Sequence, residues 1–371
     1  MKPTDCRHLS SERLCLRVPD NMKIIQVDFI VGFPRSATTL IAKALAEHLD
    51  VAVLMETAYF GRYYHEPAGD GTYDKAAVRS IMSQHRRAGD ETVYLELGAE
   101  RRFGSYRAVD SASYASVADS VICNAPVPSD PGALFNYWAN LLARREGASR
   151  VVEKTPHHLD HVRRMSEHVP GASYVVCSRD QMSFALSYKF QVGPKGRYRR
   201  EFRGLYHPIG TALNWSRYAR AVARLVQDDS VSSLHVRQRE VAADSARVLA
   251  EVADFLGLPS APGWLASVPQ RENSSFDAGR ERPQLHVSEV FWWSLVTARA
   301  APPIGYPAIE TPWRAVCSWR TYWSAVTALP WALRLVVRMA KGGDSGGRIS
   351  GRGLSHLMKA VSQLRGSREA N

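Results

Sequence analysis

The stretch FIVGFPRSATTLIAKAL, residues 29–45, joins a strand pattern to a helix pattern through one short turn. The residues up to Phe33 are apolar and rich in β-branched and aromatic side chains, as in a buried parallel strand. From Thr38 onward, apolar residues recur at helical spacing. A strand that ends in a glycine-bearing turn and opens a helix directs backbone N–H groups at an anion. The sequence therefore predicts a phosphate-binding loop after Gly32.

The side chains of this loop offer further donors to an anion, from Arg35, Ser36, Thr38 and Thr39. The loop does not match G-x-x-x-x-G-K-[ST], because no lysine precedes its Ser/Thr pair, nor does it match G-x-G-x-x-G. These departures disfavour an ordinary ATPase and a dinucleotide enzyme. The alternative is a simple helix N-cap, where Ser and Thr are also common.

The rest of the chain repeats the alternation of strands and helices. Strand patterns occupy residues 51–55, 150–154, 172–178 and 232–236, and helix patterns occupy residues 134–145, 157–168, 181–190 and 241–256. This alternation predicts an α/β fold, a P-loop-like three-layer sandwich with a central parallel sheet and helices on both faces. Residues 57–148 interrupt the rhythm and are predicted to form a helical insertion over the active-site edge.

Composition limits the classes of partner. The chain has 371 residues, 45% of them hydrophobic, and a net charge of +12, to which residues 301–371 contribute 10 Lys/Arg against 3 Asp/Glu. A basic balance fits an anionic partner. No zinc-finger spacing or RNA-binding aromatic motif is visible, so we expect no nucleic-acid partner.

Cysteine usage and hydropathy indicate the compartment. The five cysteines are scattered, with no C-x-x-C, which disfavours a disulfide scaffold and a metal site and favours a reducing compartment. The N-terminal residues have no apolar core of a secretory signal, and no apolar run reaches about 18 residues. We therefore expect a cytoplasmic protein.

GFPRSATTL resembles the 5′-phosphosulfate loop of sulfotransferases that use 3′-phosphoadenosine-5′-phosphosulfate (PAPS), in the branch of bacterial and tyrosylprotein sulfotransferases. Ala37 departs from the usual glycine, a change that is costly if the residue needs a positive φ. The resemblance implies PAPS as co-substrate, adenosine 3′,5′-bisphosphate as product and no required metal. The implied contacts with PAPS are Pro34, Arg35, Ser36, Ala37, Thr38 and Thr39.

Three further blocks, in the same order as in the family, extend the resemblance to residues 25–280. Arg179 after a strand and Ser187 eight residues later are implied to grip the 3′-phosphate; a surface Arg179–Asp180 pair is the alternative. LHVRQREVAADSARVLAEVADFLGL is similar to a late structural segment of the family, and the following ENSSF implies nucleotide contacts from Asn273 and Ser275.

The remaining block, EKTPHH (153–158), and the residues after the second strand concern the chemistry. Lys154 and Arg35 are implied to stabilise charge during transfer, although Lys154 alone could be a surface lysine. Glu56 lies where the tyrosylprotein branch has a glutamate, and we predict it to be the general base. The alternatives for Glu56 are capping a helix that begins at Thr57 or pairing with Arg35.

Histidine is the rival base. Of the candidates, which include His65 and His85, His157 and His158 are best placed because they follow Lys154 directly. The predicted reaction moves a sulfuryl group from PAPS to a hydroxyl of a small-molecule, glycan or lipid acceptor. The alternatives are a P-loop-like nucleotide-binding kinase and a non-catalytic nucleotide-binding protein.

The predicted organisation has four parts. A polar leader (1–22) precedes a sulfotransferase domain (23–280) with a variable acceptor-binding insertion (57–148), and a Trp/Arg-rich extension (281–341) and a flexible basic tail (342–371) follow. Residues 318–343 combine Trp, Leu, Val and Arg, which suits an interfacial helix on anionic lipid at the inner membrane surface. The alternatives are docking on the protein's own core or on a second subunit of a homodimer.

Overall fold

The computed structural model describes residues 25–46, 51–67, 69–83, 111–190, 206–259 and 284–341. Its strands are β1 (Val27–Gly32), β2 (Val51–Met55), β3 (Arg150–Lys154), β4 (Tyr174–Ser178) and β5 (Ser233–Arg237). Its helices are α1 (Thr38–Ala46), α2 (75–83), α3 (Ser111–Asn124), α4 (Pro131–Arg145), α5 (Val162–His168), α6 (Gln181–Lys189), α7 (Pro208–Val226), α8 (Gln238–Ala243), α9 (Ser245–Phe255), α10 (Val287–Thr297) and α11 (Trp319–Lys341). None of the helices in these ranges is long and apolar enough to cross a membrane.

The five strands form one parallel sheet in the order β2-β3-β1-β4-β5. In this register Lys154 lies opposite Met55 on one side and Ile30 on the other. Because every strand runs the same way, the carboxyl ends of all five lie along one edge, where ligands of open α/β sheets bind. The predicted α/β class with a central parallel sheet is confirmed.

The two faces of the sheet are covered by different helices. Ile30 packs in an aliphatic cluster with residues of α1 and α9, including Ile41 and Leu249. Its neighbour Phe29 points to the other face and stacks on Phe135 of α4, with ring centroids 5.8 Å apart. Successive strand residues face opposite ways, so helices on both faces explain why β1 is buried along its whole length.

The chain divides into two compact units that interleave in sequence. One unit comprises residues 1–180 and 218–274 and holds the sheet. The other comprises residues 181–217 and 275–371 and holds α6, α10 and α11. Its α11 coincides with the helix predicted over residues 318–343, whereas α10 was not predicted, since its tryptophan-rich turns are apolar on more than one side.

The helix predicted over residues 241–256 is two helices. Asp244 adopts φ −150°, ends α8 and caps α9 by accepting a hydrogen bond from Arg247 N at 3.0 Å. The strands predicted after β1 and the helices predicted over residues 134–145 and 181–190 match the observed ones to within three residues at each end. The helix predicted over residues 157–168 begins later, because residues 156–161 form a 3-10 segment (Pro156–His161).

Candidate active site

The loop after β1 depends on a glycine at its start. Gly32 has φ +139°, and a Cβ there would lie 2.0 Å from the carbonyl oxygen of Cys177 on β4. The next residue, Phe33, donates its N–H to that same oxygen at 2.9 Å. Only glycine allows β1 and β4 to approach this closely while the chain turns out of the sheet.

Two loop residues have left-handed backbone conformations. Arg35 has φ +67° and Ala37 has φ +71°, whereas Ser36 between them has a negative φ. Alternation of this kind turns successive backbone N–H groups inward and forms a concave site for an anion. Ala37 therefore does carry the positive φ that makes alanine costly where glycine would be relaxed.

The other loop residues divide between holding the loop and facing outward. Ser36 is fully buried, and its hydroxyl donates to the carbonyl oxygen of Phe33 at 2.6 Å. Thr38 is buried at the first turn of α1, while Pro34, Arg35 and Thr39 are half-buried. Ser36 thus closes the turn, and the half-buried side chains remain nearest to the solvent edge.

Arg179 follows β4 and supports the loop from the neighbouring strand. Its Nη1 donates to the backbone carbonyl oxygen of Arg35 at 2.6 Å. The Arg179 guanidinium therefore holds the backbone of the loop at Arg35, and both residues predicted to bind the nucleotide lie at this edge of the sheet.

Lys154, at the end of β3, is a buried cation with a carboxylate partner. Its side chain is 1% exposed, and its Nζ lies 2.5 Å from Oε1 of Glu56. Glu56 directly follows Met55, the residue that lies opposite Lys154 across the β2–β3 ladder. The alternative that Lys154 is a plain surface lysine is wrong.

Glu56 is 41% exposed at its side chain and keeps a low proton affinity. The partial burial of its carboxyl would by itself raise the pKa. The charge and hydrogen bond of Lys154, with smaller contributions from His157 and His158, outweigh burial and lower the pKa below the ordinary glutamate value. Glu56 is therefore an ionised carboxylate at neutral pH. It does not cap a helix at Thr57, since the helical turn here begins at Tyr59.

A second glutamate, Glu153, anchors the chain around Glu56. Its fully buried carboxylate accepts hydrogen bonds from Thr57 N (3.2 Å), Thr57 Oγ1 (2.8 Å), His158 Nδ1 (3.0 Å) and the Thr155 hydroxyl. The Thr155 hydroxyl oxygen in turn accepts from Ala58 N at 3.2 Å. Glu56 N donates to Lys154 O at 2.7 Å. Three consecutive N–H groups after β2 are thus bound to the end of β3.

These bonds hold an unfavourable backbone in place. Glu56 and Ala58 have φ +54° and +51°, and with Arg35 and Ala37 they are the positive-φ residues other than glycine in the described ranges. Strained backbone of this kind persists where surrounding bonds enforce it, and it concentrates at functional sites. Glu153 was not among the predicted site residues, although two adjacent charges in a buried strand, RVVEK, could have indicated it.

The two candidate histidines occupy different environments. His157 is exposed, and its Nδ1 lies 3.0 Å from the hydroxyl of Tyr218, whose ring packs 5.5 Å from that of Phe33. His158 is buried, with Nδ1 bound to Glu153 and Nε2 without a hydrogen-bond partner among the described residues. Its burial leaves His158 poorly placed to receive a proton from an external acceptor.

The structure does not test the roles predicted for the other site residues. Ser187 is buried in α6, in the second unit, so its role beside Arg179 stays a prediction. Asn273 and Ser275 lie outside the described residues, as does His85. Near the start of the predicted insertion, the aromatic side chains of Tyr59, Phe60, Tyr63 and Tyr64 are buried in the core. In the described ranges, no three His, Cys, Asp or Glu side chains are grouped closely enough for a metal site.

The chain belongs to the sulfotransferase family, whose sequence model matches residues 29–262. This range includes β1, its loop, Glu56, Lys154 and Arg179. None of the curated protein sequences resembles the chain closely enough to count as a match.

Several solved structures are similar to parts of the chain at low identity. A sulfotransferase domain from the curacin biosynthetic pathway shares 15% identity and covers 69% of this chain and 82% of its own, with a TM-score of 0.44. A sulfotransferase domain from the Synechococcus PCC 7002 olefin synthase shares 15% identity and covers 78% and 97%, with a TM-score of 0.42. Sulfotransferase STF9 from Mycobacterium avium shares 13% identity and covers 78% and 79%, with a TM-score of 0.43.

Proposed function

We propose that this sulfotransferase takes its sulfuryl group from PAPS and transfers it to a hydroxyl group of a small-molecule, glycan or lipid acceptor. The observation that carries the proposal is the Glu56–Lys154 ion pair at the carboxyl ends of the adjacent strands β2 and β3. At the same edge of the sheet, the loop with Arg35 follows β1 and Arg179 follows β4. A proton acceptor, a buried cation and an anion-binding loop are the groups that such a transfer needs.

The binding roles follow from charge and position. The N–H groups of the loop and the Arg35 side chain suit the 5′-phosphosulfate, and Arg179 suits the 3′-phosphate. Lys154 is a buried cation at the end of β3. Its charge suits the 5′-phosphate oxygen, on which negative charge develops as the bond to sulfur breaks.

Glu56 would take the proton from the acceptor. The acceptor oxygen forms a bond to sulfur, the bond between sulfur and the 5′-phosphate oxygen breaks, and the hydroxyl proton goes to the Glu56 carboxylate. While Glu56 is paired with Lys154, its lowered pKa makes it a weak base. An anion held at the loop would compete for Lys154, and loss of the ion pair would raise the pKa of Glu56. Proton transfer would thus be favoured only when the donor is bound.

A nucleotide comparison tests the choice of donor. Adenosine 3′,5′-bisphosphate is expected to raise the melting temperature of the full chain much more than adenosine 5′-monophosphate or ATP, because binding to the native state stabilises it in proportion to affinity. Arg179→Gln should remove most of the advantage of the 3′-phosphate. Equal shifts from all three nucleotides would overturn PAPS as donor and favour a nucleotide-binding kinase or binding protein.

A further inference from the structure

Helix α11 presents its apolar side to solvent. All the large apolar side chains that are more than half exposed in the described residues lie between Trp313 and Leu333: Trp313, Trp319, Tyr322, Trp323, Val326, Leu329 and Leu333, at 55–69% exposure. Apart from Trp313, they recur at intervals of three or four residues or in adjacent pairs, so they form one stripe along α11. We name these seven residues, six on α11 and Trp313 just before it, the apolar stripe.

The opposite side of α11 is already packed within its own unit. Thr321 is buried, and its carbonyl oxygen accepts from Trp292 Nε1 at 3.0 Å. Thr327 Oγ1 lies 3.2 Å from His207 Nε2, and the Trp331 ring packs on the His207 ring at 5.4 Å. Gly210 permits this approach, since a Cβ there would lie 2.1 Å from the Trp331 ring.

The helix therefore inverts the usual arrangement. A helix on the surface of a soluble protein buries its apolar side and exposes its polar side. α11 buries Thr321, leaves Thr327 and Trp331 half-buried, and exposes the larger apolar set. A contiguous exposed surface of this kind marks an interaction site.

The charges around the apolar stripe indicate what covers it. Residues 311–341 contain no Asp or Glu and five basic residues, at positions 314, 320, 334, 338 and 341. We propose that the apolar stripe binds the surface of an anionic phospholipid bilayer, with α11 parallel to the membrane plane. Tryptophan and tyrosine favour the boundary between lipid headgroups and acyl chains, and the basic residues add attraction to anionic headgroups.

A second copy of the chain fits the apolar stripe less well. A symmetric dimer places the same patch on both sides of the interface, so α11 would meet α11. Each α11 carries four basic residues and no acidic residue, so two such helices brought together would repel each other with no opposite charge to compensate. An anionic membrane removes this repulsion and buries the same aromatic side chains.

Vesicle flotation of the full chain tests the proposal. The wild-type protein is expected to float with vesicles of equal parts phosphatidylcholine and phosphatidylglycerol, and to remain unbound with pure phosphatidylcholine. The variant with Trp319→Gln, Trp323→Gln and Leu329→Gln should bind at least about tenfold more weakly, because its apolar contacts are lost. The matched control, Val127→Gln with Val226→Gln and Leu295→Gln, changes exposed apolar residues outside the stripe and should bind as wild type.

A charge variant provides an independent measurement if the triple variant folds poorly. Arg314→Gln with Arg320→Gln should weaken binding by about fivefold per charge at low salt, and the difference should shrink at high salt. Equal flotation of the wild type and the triple variant would overturn the proposal, because binding would then come from elsewhere in the chain.

Two other outcomes would also overturn it. One is flotation that does not depend on phosphatidylglycerol or does not occur. The other is a wild-type dimer in solution that the triple variant converts to a monomer, with no vesicle binding by either, which would assign the apolar stripe to a second copy of the chain.

Discussion

Lys154 Nζ lies 2.5 Å from Oε1 of Glu56, and the two side chains differ greatly in exposure, at 1% and 41%. The lysine is a buried cation that needs a counter-charge, whereas the glutamate reaches the surface. Glu56 is therefore the member of the pair that can meet an acceptor, and Lys154 is the member that sets the proton affinity of Glu56.

Replacing Glu56 should separate catalysis from nucleotide binding. We expect Glu56→Gln to lower the rate of sulfate transfer by about 10²–10⁴-fold, since a positioned general base contributes that much. Affinity for adenosine 3′,5′-bisphosphate should change little, because the loop after β1 is untouched. Transfer is measured with radiolabelled PAPS and lipid and metabolite extracts as acceptors, and affinity by calorimetry.

The matched control is Glu66→Gln, which neutralises a carboxylate that is 76% exposed and paired with Arg164. It should leave transfer unchanged. Wild-type transfer rates in Glu56→Gln would show that another group, with His157 the first candidate, takes the proton.

The pH dependence of the rate should differ between free enzyme and complex. The acid limb of kcat/KM reports the free enzyme, in which Lys154 lowers the pKa of Glu56, so it should lie below about pH 4.3, the ordinary glutamate value. The acid limb of kcat reports the complex, in which Lys154 also faces the donor, and it should lie at higher pH. Coincident limbs would show that donor binding does not release Glu56 from Lys154.

The ion pair should also appear in the pH dependence of stability. A carboxyl whose pKa is lowered on folding stabilises the native state above its unfolded-state pKa and loses that contribution as pH falls through the folded-state value. The difference in free energy of unfolding between wild type and Glu56→Gln should therefore be constant near neutral pH and shrink below about pH 4.3. Urea unfolding at several pH values measures it. A difference that grows on acidification would contradict the lowered pKa.

Glu153 should act as a positioning residue for Glu56. Glu153→Gln removes a buried charge that accepts four hydrogen bonds, so we expect about 2–4 kcal/mol of lost stability. Measured well below its melting temperature, the variant should also show a lower kcat with unchanged affinity for adenosine 3′,5′-bisphosphate. Glu167→Gln, at an exposed i,i+4 pair, should have little effect on either. Normal kcat in folded Glu153→Gln would limit its role to stability.

The backbone of Ala37 predicts a stabilising substitution. Ala37→Gly should raise the free energy of unfolding by about 1 kcal/mol, because glycine adopts φ +71° without the strain that a Cβ imposes. Ala250→Gly in the middle of α9 should lower it by about the same amount. Thermal unfolding compares the two. If both substitutions destabilise the protein alike, Ala37 does not hold a positive φ in solution.

The sequence predicted the elements that are defined by local pattern. The apolar run of β1, its turn and the helix period of α1 are each encoded within a few residues, and the strand–helix alternation implies a parallel sheet. That sheet brings Arg35, Lys154 and Arg179 to one edge, and Glu56 follows a strand at the same edge. These positions were predictable because the direction of the strands determines them.

Other features depend on contacts between distant residues and could not be read locally. Glu153 is an anchor only because β2 ends beside β3, and the loop in which Ala37 has a positive φ is bound by Arg179, which follows the distant strand β4. The apolar stripe was visible as composition, yet which side of α11 faces solvent depends on how Trp331 packs at Gly210. The sequence determined which residues stand at the ends of the strands and along α11. Tertiary structure decided which of them are buried, strained or exposed, because these properties arise from packing between segments that are far apart in the chain.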